Sequence, residues 1–315
     1  MQKLTPAIIA HDLKKSFKKV DVLKGVSFSI EKDSVFALLG ANGAGKTTAI
    51  NILTTLLKAD SGTASVNGHD VKKDPAGVRR SIALTGQFAA VDDVLTAREN
   101  LQLIGDLRHV KDPAKTAAEM LMKFDLTDAA DRKTGTFSGG MQRRLDIAMS
   151  LIGNPDIIFF DEPTTGLDPQ SRNDMWATIA SLAENGTTVF LTTQYLEEAD
   201  QLADQIAILK DGTIVAEGTP SELKKLLPSG QIELKFVGTS WLNAAAKLLG
   251  TYKTVRNDTA LSLMVTTDGS TAQLAQLLMK LESAKIEVAE FAHKAPTLDD
   301  VFLKIVNENK EKQPS

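Results

Sequence analysis

An α/β fold followed by a smaller α+β domain is what three features of this 315-residue sequence predict. An unbroken apolar run, Val35-Phe36-Ala37-Leu38-Leu39, leads into a glycine-rich loop and a helix-forming segment, the order of a buried parallel strand and its crossover. A second run, Ile157-Ile158-Phe159-Phe160, is followed by a helical pattern over 171–185 and a strand pattern over 188–193. Past a Pro-Ser-Gly cluster at 228–230 the pattern changes to β-α-β-β-α-β, which is a different architecture.

Residues 7–30 alternate apolar and polar side chains and read as strands of an antiparallel sheet, which Ala64 to Asn67 and Gly68 close. The segment Lys46 to Leu57 reads as the helix after the glycine-rich loop, and Ser81 to Gly86 as a further strand end. From about 88 to 152 the pattern is helical, with 98–104 and 117–124 as its clearest pieces. A hairpin is expected over 206–215, turning at Asp211-Gly212. The expected domains are 1–227 and 228–315. In the second, strands at 232–237, 252–255, 261–266 and 287–291 and helices at 241–249 and 271–283 suggest a ferredoxin-like split βαβ unit. A last helix, 298–307, carries Asp299 and Asp300 in its first turn, where they favour its dipole.

Chemistry is most legible in Gly40-Ala41-Asn42-Gly43-Ala44-Gly45-Lys46-Thr47-Thr48. Glycines let successive backbone N–H groups converge on one anion, and the following helix adds its positive dipole end, so this is a phosphate-binding P-loop. Lys46 supplies charge for the β and γ phosphates, and the Thr47 hydroxyl suits the accompanying Mg²⁺. Asp161 and Glu162 stand at the carboxyl end of the 157–160 run, where parallel sheets present their ligand-binding groups. Asp161 suits Mg²⁺ through water, and Glu162 suits polarising an attacking water.

Between these motifs stands Phe137-Ser138-Gly139-Gly140-Met141-Gln142-Arg143-Arg144. With the P-loop and the paired acids in this order, residues 7 to 225 resemble the ATP-binding cassette of ABC transporters. The resemblance implies a mixed sheet core with an antiparallel β subdomain and a helical subdomain. It makes Ser138, Gly139, Gly140 and Met141 the signature that closes over ATP held by a second copy, so it implies a dimer with two ATP. Physically, a Ser hydroxyl and two glycine N–H groups opening a helix, expected from Leu145 or slightly before, form a second anion site. The resemblance also makes Gln87 a Q-loop ligand of Mg²⁺, Asp168 part of a D-loop at the dimer interface, Phe17 an adenine-stacking ring, and Lys46, Glu162 and Gln194 the catalytic set. Three departures stand out: Gln194 replaces the family's switch histidine, Met141 ends the signature without a strong hydrogen-bonding group, and Asp33-Ser34 stands where relatives carry Gly-Glu. Gln194-Tyr195-Leu196-Glu197-Glu198-Ala199-Asp200, Met141 and the 296–302 ending resemble the daunorubicin-resistance branch. That branch energises efflux of drugs or other lipophilic compounds through a separate permease.

Composition narrows the classes. With 43% hydrophobic and 24% charged residues the chain is globular, and with no cysteine it has no disulfide framework or thiolate metal site. Its net charge of −4 argues against nucleic acid as a partner. No apolar run reaches the ~20 residues needed to span a bilayer, and Met1-Gln2-Lys3 opens no signal-peptide core. Together with the absence of such a run, the resemblance implies a cytoplasmic setting peripheral to the cell membrane, with a separate transmembrane permease and a second copy of the chain as partners. Two rivals fit the same residues: a soluble regulatory ATPase of this family, and a ligand sensor acting through 230–315.

Overall fold

The computed structural model describes residues 6–86, 90–227, 230–294 and 296–308, arranged as two compact units, Met1–Pro220 and Ser221–Ser315. Residues 221–227, which the expected boundary gives to the first domain, go with the second. The helix Pro220–Lys224 leads to Leu226, whose carbonyl accepts from Lys304 Nζ at 2.9 Å, and Lys304 lies on the C-terminal helix.

The first unit begins with β1 (Ile8–Phe17) and β2 (Val20–Ile30), which pair antiparallel. With β4 (Ser61–Val66) and β5 (His69–Asp70) they form a four-stranded antiparallel sheet in the order β2-β1-β4-β5. The central sheet has β3 (Val35–Leu39), β6 (Ile82–Thr85), β7 (Ile157–Asp161), β8 (Thr188–Thr193), β9 (Gln205–Lys210) and β10 (Thr213–Gly218) in the order β10-β9-β3-β8-β7-β6. All its neighbours are parallel except β9 and β10, so the sheet is mixed. The β9–β10 turn is Asp211-Gly212, both with positive φ (49° and 82°), as a two-residue hairpin with right-twisted strands requires. Phe28 on β2 and Phe36 on β3 join the two sheets with ring centroids 5.2 Å apart, and Phe190 and Phe159 continue the aromatic layer across β8 and β7.

Helices flank the sheet: α1 (Lys46–Leu53), α2 (Pro75–Ser81), α6 (Pro169–Glu184) and α7 (Leu196–Leu202). α1 is shorter than the sequence suggests. Thr54 Oγ1 bonds back to the Ile50 carbonyl at 2.9 Å and Thr55 adopts φ 66°, which turns the chain away. The helical segment contains α3 (Ala97–Leu107), α4 (Pro113–Lys123) and α5 (Gly139–Ser150). α3 opens with a capping box, in which Thr96 and Glu99 each satisfy the other's backbone N–H. α5 starts at Gly139, well before Leu145, because Ser138 caps it by accepting from Met141 N at 3.3 Å. The apolar periodicity began at Leu145, but the cap sets the true start.

Asp33, which the sequence left without an account, is a turn residue with φ 57° between β2 and β3, and its N–H donates to Thr188 Oγ1 at 3.0 Å. Aspartate is among the few side chains that tolerate this left-handed geometry.

The second unit follows α8 (Pro220–Lys224) with β11 (Gln231–Lys235), α9 (Thr239–Leu248), β12 (Thr254–Asn257), β13 (Ser262–Thr266), α10 (Thr271–Ser283), β14 (Glu290–Lys294) and α11 (Leu298–Glu308). Its sheet order is β12-β13-β11-β14, antiparallel throughout, so β13 separates β11 from β12 as a split βαβ unit does. Ile232, Leu234, Leu263 and Val265 from the sheet meet Leu242, Ala245, Leu277 and Leu281 from α9 and α10 in a core of its own.

Candidate functional site

Strand register builds the site. Leu39 at the end of β3 lies beside Thr193 on β8, and Asp161 at the end of β7 lies beside Thr192, so three strand ends deliver their following residues to one edge. The result is a cleft of about 600 Å³ lined by Phe17, Val22, Asn42, Gly43, Gly45 to Thr48, Asp161, Glu162, Thr165 and Gln194.

The P-loop wraps the N-terminus of α1. Gly45, its N-cap, has φ 111°, and a Cβ there would stand 2.7 Å from Leu23 Cδ2. A Cβ on Gly40 would stand 2.5 Å from the Leu209 carbonyl oxygen, so β9 also requires glycine at this point. The Gly40 N–H donates to the Thr193 carbonyl at 3.1 Å. Lys46 is 4% exposed, and its ammonium donates to the carbonyls of Gly40 at 2.8 Å and Ala41 at 3.2 Å while pairing with Glu162 Oε1 at 3.0 Å. This charge is thus held in the cleft by the carbonyls of its own loop and by the neighbouring acid.

Asp161 is buried and accepts from Thr192 Oγ1 at 2.6 Å, which fixes one carboxylate oxygen. Glu162 leaves strand geometry at φ 50°, a left-handed conformation that turns its side chain from the strand direction into the cleft. Its N–H reaches both the carbonyl and the hydroxyl of Thr192 at 3.1 Å, and Thr165 Oγ1 approaches its Oε2 at 3.3 Å. Gln194, half-buried, enters from the end of β8, where Tyr195 N donates to Thr193 Oγ1 at 2.9 Å. Phe17 is 46% exposed at the cleft's edge instead of packed in the core, with Lys15 Nζ 5.5 Å from its ring centre. Gln87 lies outside the described residues.

The remaining expected residues lie elsewhere. Ser138, Gly139, Gly140 and Met141 open α5 and take no part in lining this cleft, and Ser138 and Gly139 are exposed. Asp168 is the N-cap of α6: Ser171 donates to it from its hydroxyl at 2.6 Å and its backbone at 3.0 Å, and these bonds hold its carboxyl below the usual carboxylate range. A Cβ on Gly140 would come within 2.8 Å of Ser171 Oγ, so the start of α5 and the cap of α6 are in close approach.

The chain's relatives share this plan from end to end. The model of ABC transporters matches residues 23–165, and that of the C-terminal domain of DrrA1-3-like ATP-binding proteins matches 218–306. The daunorubicin/doxorubicin resistance ATP-binding protein DrrA of Streptomyces peucetius is 44% identical over 306 residues, covering 95% of this chain and 92% of that one. The chain belongs to the ABC transporter ATP-binding proteins. The doxorubicin resistance ATP-binding protein DrrA of Mycobacterium tuberculosis is 42% identical over 315 residues, covering 97% and 95%. Among solved structures, the dimeric post-hydrolysis state of the ATP-binding cassette MJ0796 bound to ADP and Pi matches with a TM-score of 0.61 and 28% identity, over 67% of this chain and 98% of that one.

As an ABC ATPase, the protein binds and hydrolyses ATP. The cleft fits that ligand, since a glycine loop at the N-terminus of α1 and a buried cation line it, as a polyphosphate requires. It also fits Mg²⁺. The Thr47 hydroxyl and the Asp161 carboxylate share the cleft, and this cation takes few protein oxygens, the rest coming from phosphate and water. When bound, it would supply charge neutralisation at the phosphates.

Sequence reasoning missed Val22, Thr165 and Thr192, whose parts in the site come from the register of neighbouring strands and from a turn after β7. It also missed the role of Glu198, fully buried, whose Oε1 accepts from Thr164 at 2.8 Å and Trp176 at 3.1 Å while burial pushes its carboxyl up. A glutamate inside a helix with acidic neighbours carries no signal of burial.

Proposed function

We propose that two copies of this ABC ATPase close on two ATP molecules and thereby drive export of a drug or other lipophilic compound through a separate membrane permease, at the cytoplasmic face of the membrane. The observation that carries the reading is the separation of the signature from the cleft. The exposed start of α5 lies apart from the cleft, and in this reading it serves as an anion site for the partner's nucleotide, so each chain contributes half of two sites. The dimeric solved relative supports this assembly, and the printed names of the curated relatives support a drug as cargo. No helix among the described residues is long and apolar enough to cross a membrane, which favours a separate permease.

In this reading Lys46 and the loop Gly40 to Thr48 hold the phosphates, Thr47 and Asp161 hold Mg²⁺, Glu162 polarises the attacking water, and Gln194 donates to the γ-phosphate. Phe17 stacks on the adenine, and Asp168 lies along the dimer seam. Light scattering of the Glu162→Gln variant tests the assembly: with saturating Mg-ATP at micromolar concentration it should give the mass of two chains, because bound nucleotide links the two half-sites. A single-chain mass in the presence of the permease as well as in its absence would sink the dimer.

The permease contact is expected on the helical segment after residue 90. Val94 is 71% exposed, Val91 and Leu95 are half-buried, and Phe88 lies outside the described residues. Val94→Asp should therefore leave basal ATPase and folding near wild type while cutting drug efflux by about tenfold or more in cells that carry the permease, since a charge forced into an apolar interface loses its hydration. Efflux at the wild-type rate would place the contact elsewhere.

A further inference from the structure

Arg143 lies one turn into α5 and is 5% exposed, and its guanidinium reaches two other parts of the chain as well as Asp146 on its own helix. Nη1 donates to the Gly86 carbonyl at 2.7 Å, Nε donates to the Pro163 carbonyl at 3.1 Å, and Nη1 pairs with Asp146 Oδ2 at 3.2 Å. Asp146, one turn further on and also 5% exposed, accepts the Ala90 N–H on its other oxygen at 3.0 Å. Gly86 and Ala90 are the described residues on either side of 87–89, and Pro163 follows Glu162 directly.

This is a poor device for stability. A buried ion pair is often no more stabilising than apolar side chains of the same size, and here Nη2 is buried with no hydrogen-bond partner among the described residues. It is a good device for geometry, because a rigid planar fork reaches two carbonyls and a carboxylate at once, which a lysine ammonium on a flexible stem does not reproduce. Asp161 and Glu198 lie within electrostatic reach of the same guanidinium, so it also supplies the countercharge behind the acidic end of β7.

We propose that Arg143, locked by Asp146, is a positioning residue for ATP hydrolysis, holding the peptide after Glu162 and the chain at Gly86 and Ala90 to the helix that begins with the signature. Arg143 does not line the cleft, and the proposed role, acting through the placement of Glu162, rests on the reading of Glu162 as the water-polarising group. Movement of the signature helix would be transmitted to Pro163 by the single hydrogen bond from Arg143 Nε.

The test compares full-length wild type, Arg143→Lys, Asp146→Asn, the apolar pair Arg143→Met with Asp146→Leu, and Glu162→Gln. Steady-state kcat and KM, binding of a fluorescent trinitrophenyl-ATP and thermal midpoints are measured for each. Expected are a kcat lowered by about tenfold or more in both single variants with KM and analogue binding changed by less than about threefold, the pattern of a lost transition-state interaction. The apolar pair should melt near wild type and remain as slow. Wild-type kcat in the folded apolar pair or in Arg143→Lys would overturn the proposal. So would a change confined to KM, and so would failure of the apolar pair to fold, which would make these residues a stability element. Glu162→Gln separates the layers: full turnover there refutes the reading of Glu162, whereas an inactive Glu162→Gln beside unimpaired Arg143 variants refutes this inference alone.

Discussion

Replacing Glu162 by glutamine is expected to lower ATP turnover by about 10²–10⁴-fold while leaving nucleotide binding at least as tight as in wild type. The amide keeps the shape of the side chain but removes the group that orients water. The structure adds a reason for undiminished binding. Glu162 Oε1 lies 3.0 Å from Lys46 Nζ with both side chains largely buried, so the acid competes with phosphate for the same ammonium. A neutral amide competes less, and the ammonium becomes more available to the nucleotide. Isothermal titration with ATP alongside a phosphate-release assay checks both halves. Turnover at the wild-type rate would remove Glu162 from the mechanism, and binding weakened by an order of magnitude would mean that the carboxylate helps to hold Lys46 in place for phosphate.

Gln194→Glu should be impaired on a similar scale and for an electrostatic reason. Gln194 lines the cleft with Lys46, Asp161 and Glu162, and in the proposed mechanism its carboxamide donates to the γ-phosphate. A carboxylate in its place would set two negative charges about 4 Å apart, a repulsion of about 4 kcal/mol at an effective dielectric of ~20. That corresponds to a rate lower by roughly a thousandfold. Gln194→His should remain active and acquire a new acid-side limb in its rate profile, because imidazole titrates near ~6.5 and carboxamide does not. Turnover measured from about pH 5.5 to 8.5 reads both effects. If Gln194→Glu hydrolysed ATP as fast as wild type, the side chain would not face the γ-phosphate.

The parts of this molecule that were legible in the sequence are those where a local rule and the tertiary structure demand the same residues. The run 35–39 had to be buried on both faces of a parallel sheet, and the glycines after it had to approach neighbouring backbone, so strand, loop and helix could be read together. The β-α-β-β-α-β order of the second unit was legible because each element carries its own periodicity and α10 runs from Thr271 to Ser283 as its pattern says. Where long-range bonds decide, the sequence misled or was silent. The short helix α8 joins the second unit, while the composition break lies later, at 228–230. Arg143 and Asp146 look like the solvated charges of an ordinary helix, three residues apart, until Gly86, Ala90 and Pro163 surround them. The family resemblance set Gln194 beside Lys46 and Glu162, with which it lines the cleft, although a lone glutamine after a strand carries no such sign of its own.

The loop that cradles phosphate is held by bonds that need no nucleotide: Gly40 N–H to Thr193, Lys46 to two loop carbonyls, and glycines pressed against Leu209 and Leu23. Ordering a backbone residue costs about 1–2 kcal/mol of conformational entropy, and here that cost falls on chain folding rather than on ligand capture. Nucleotide therefore meets a loop already ordered by its own bonds, so more of its affinity can come from the contacts it gains and the ion pair it displaces.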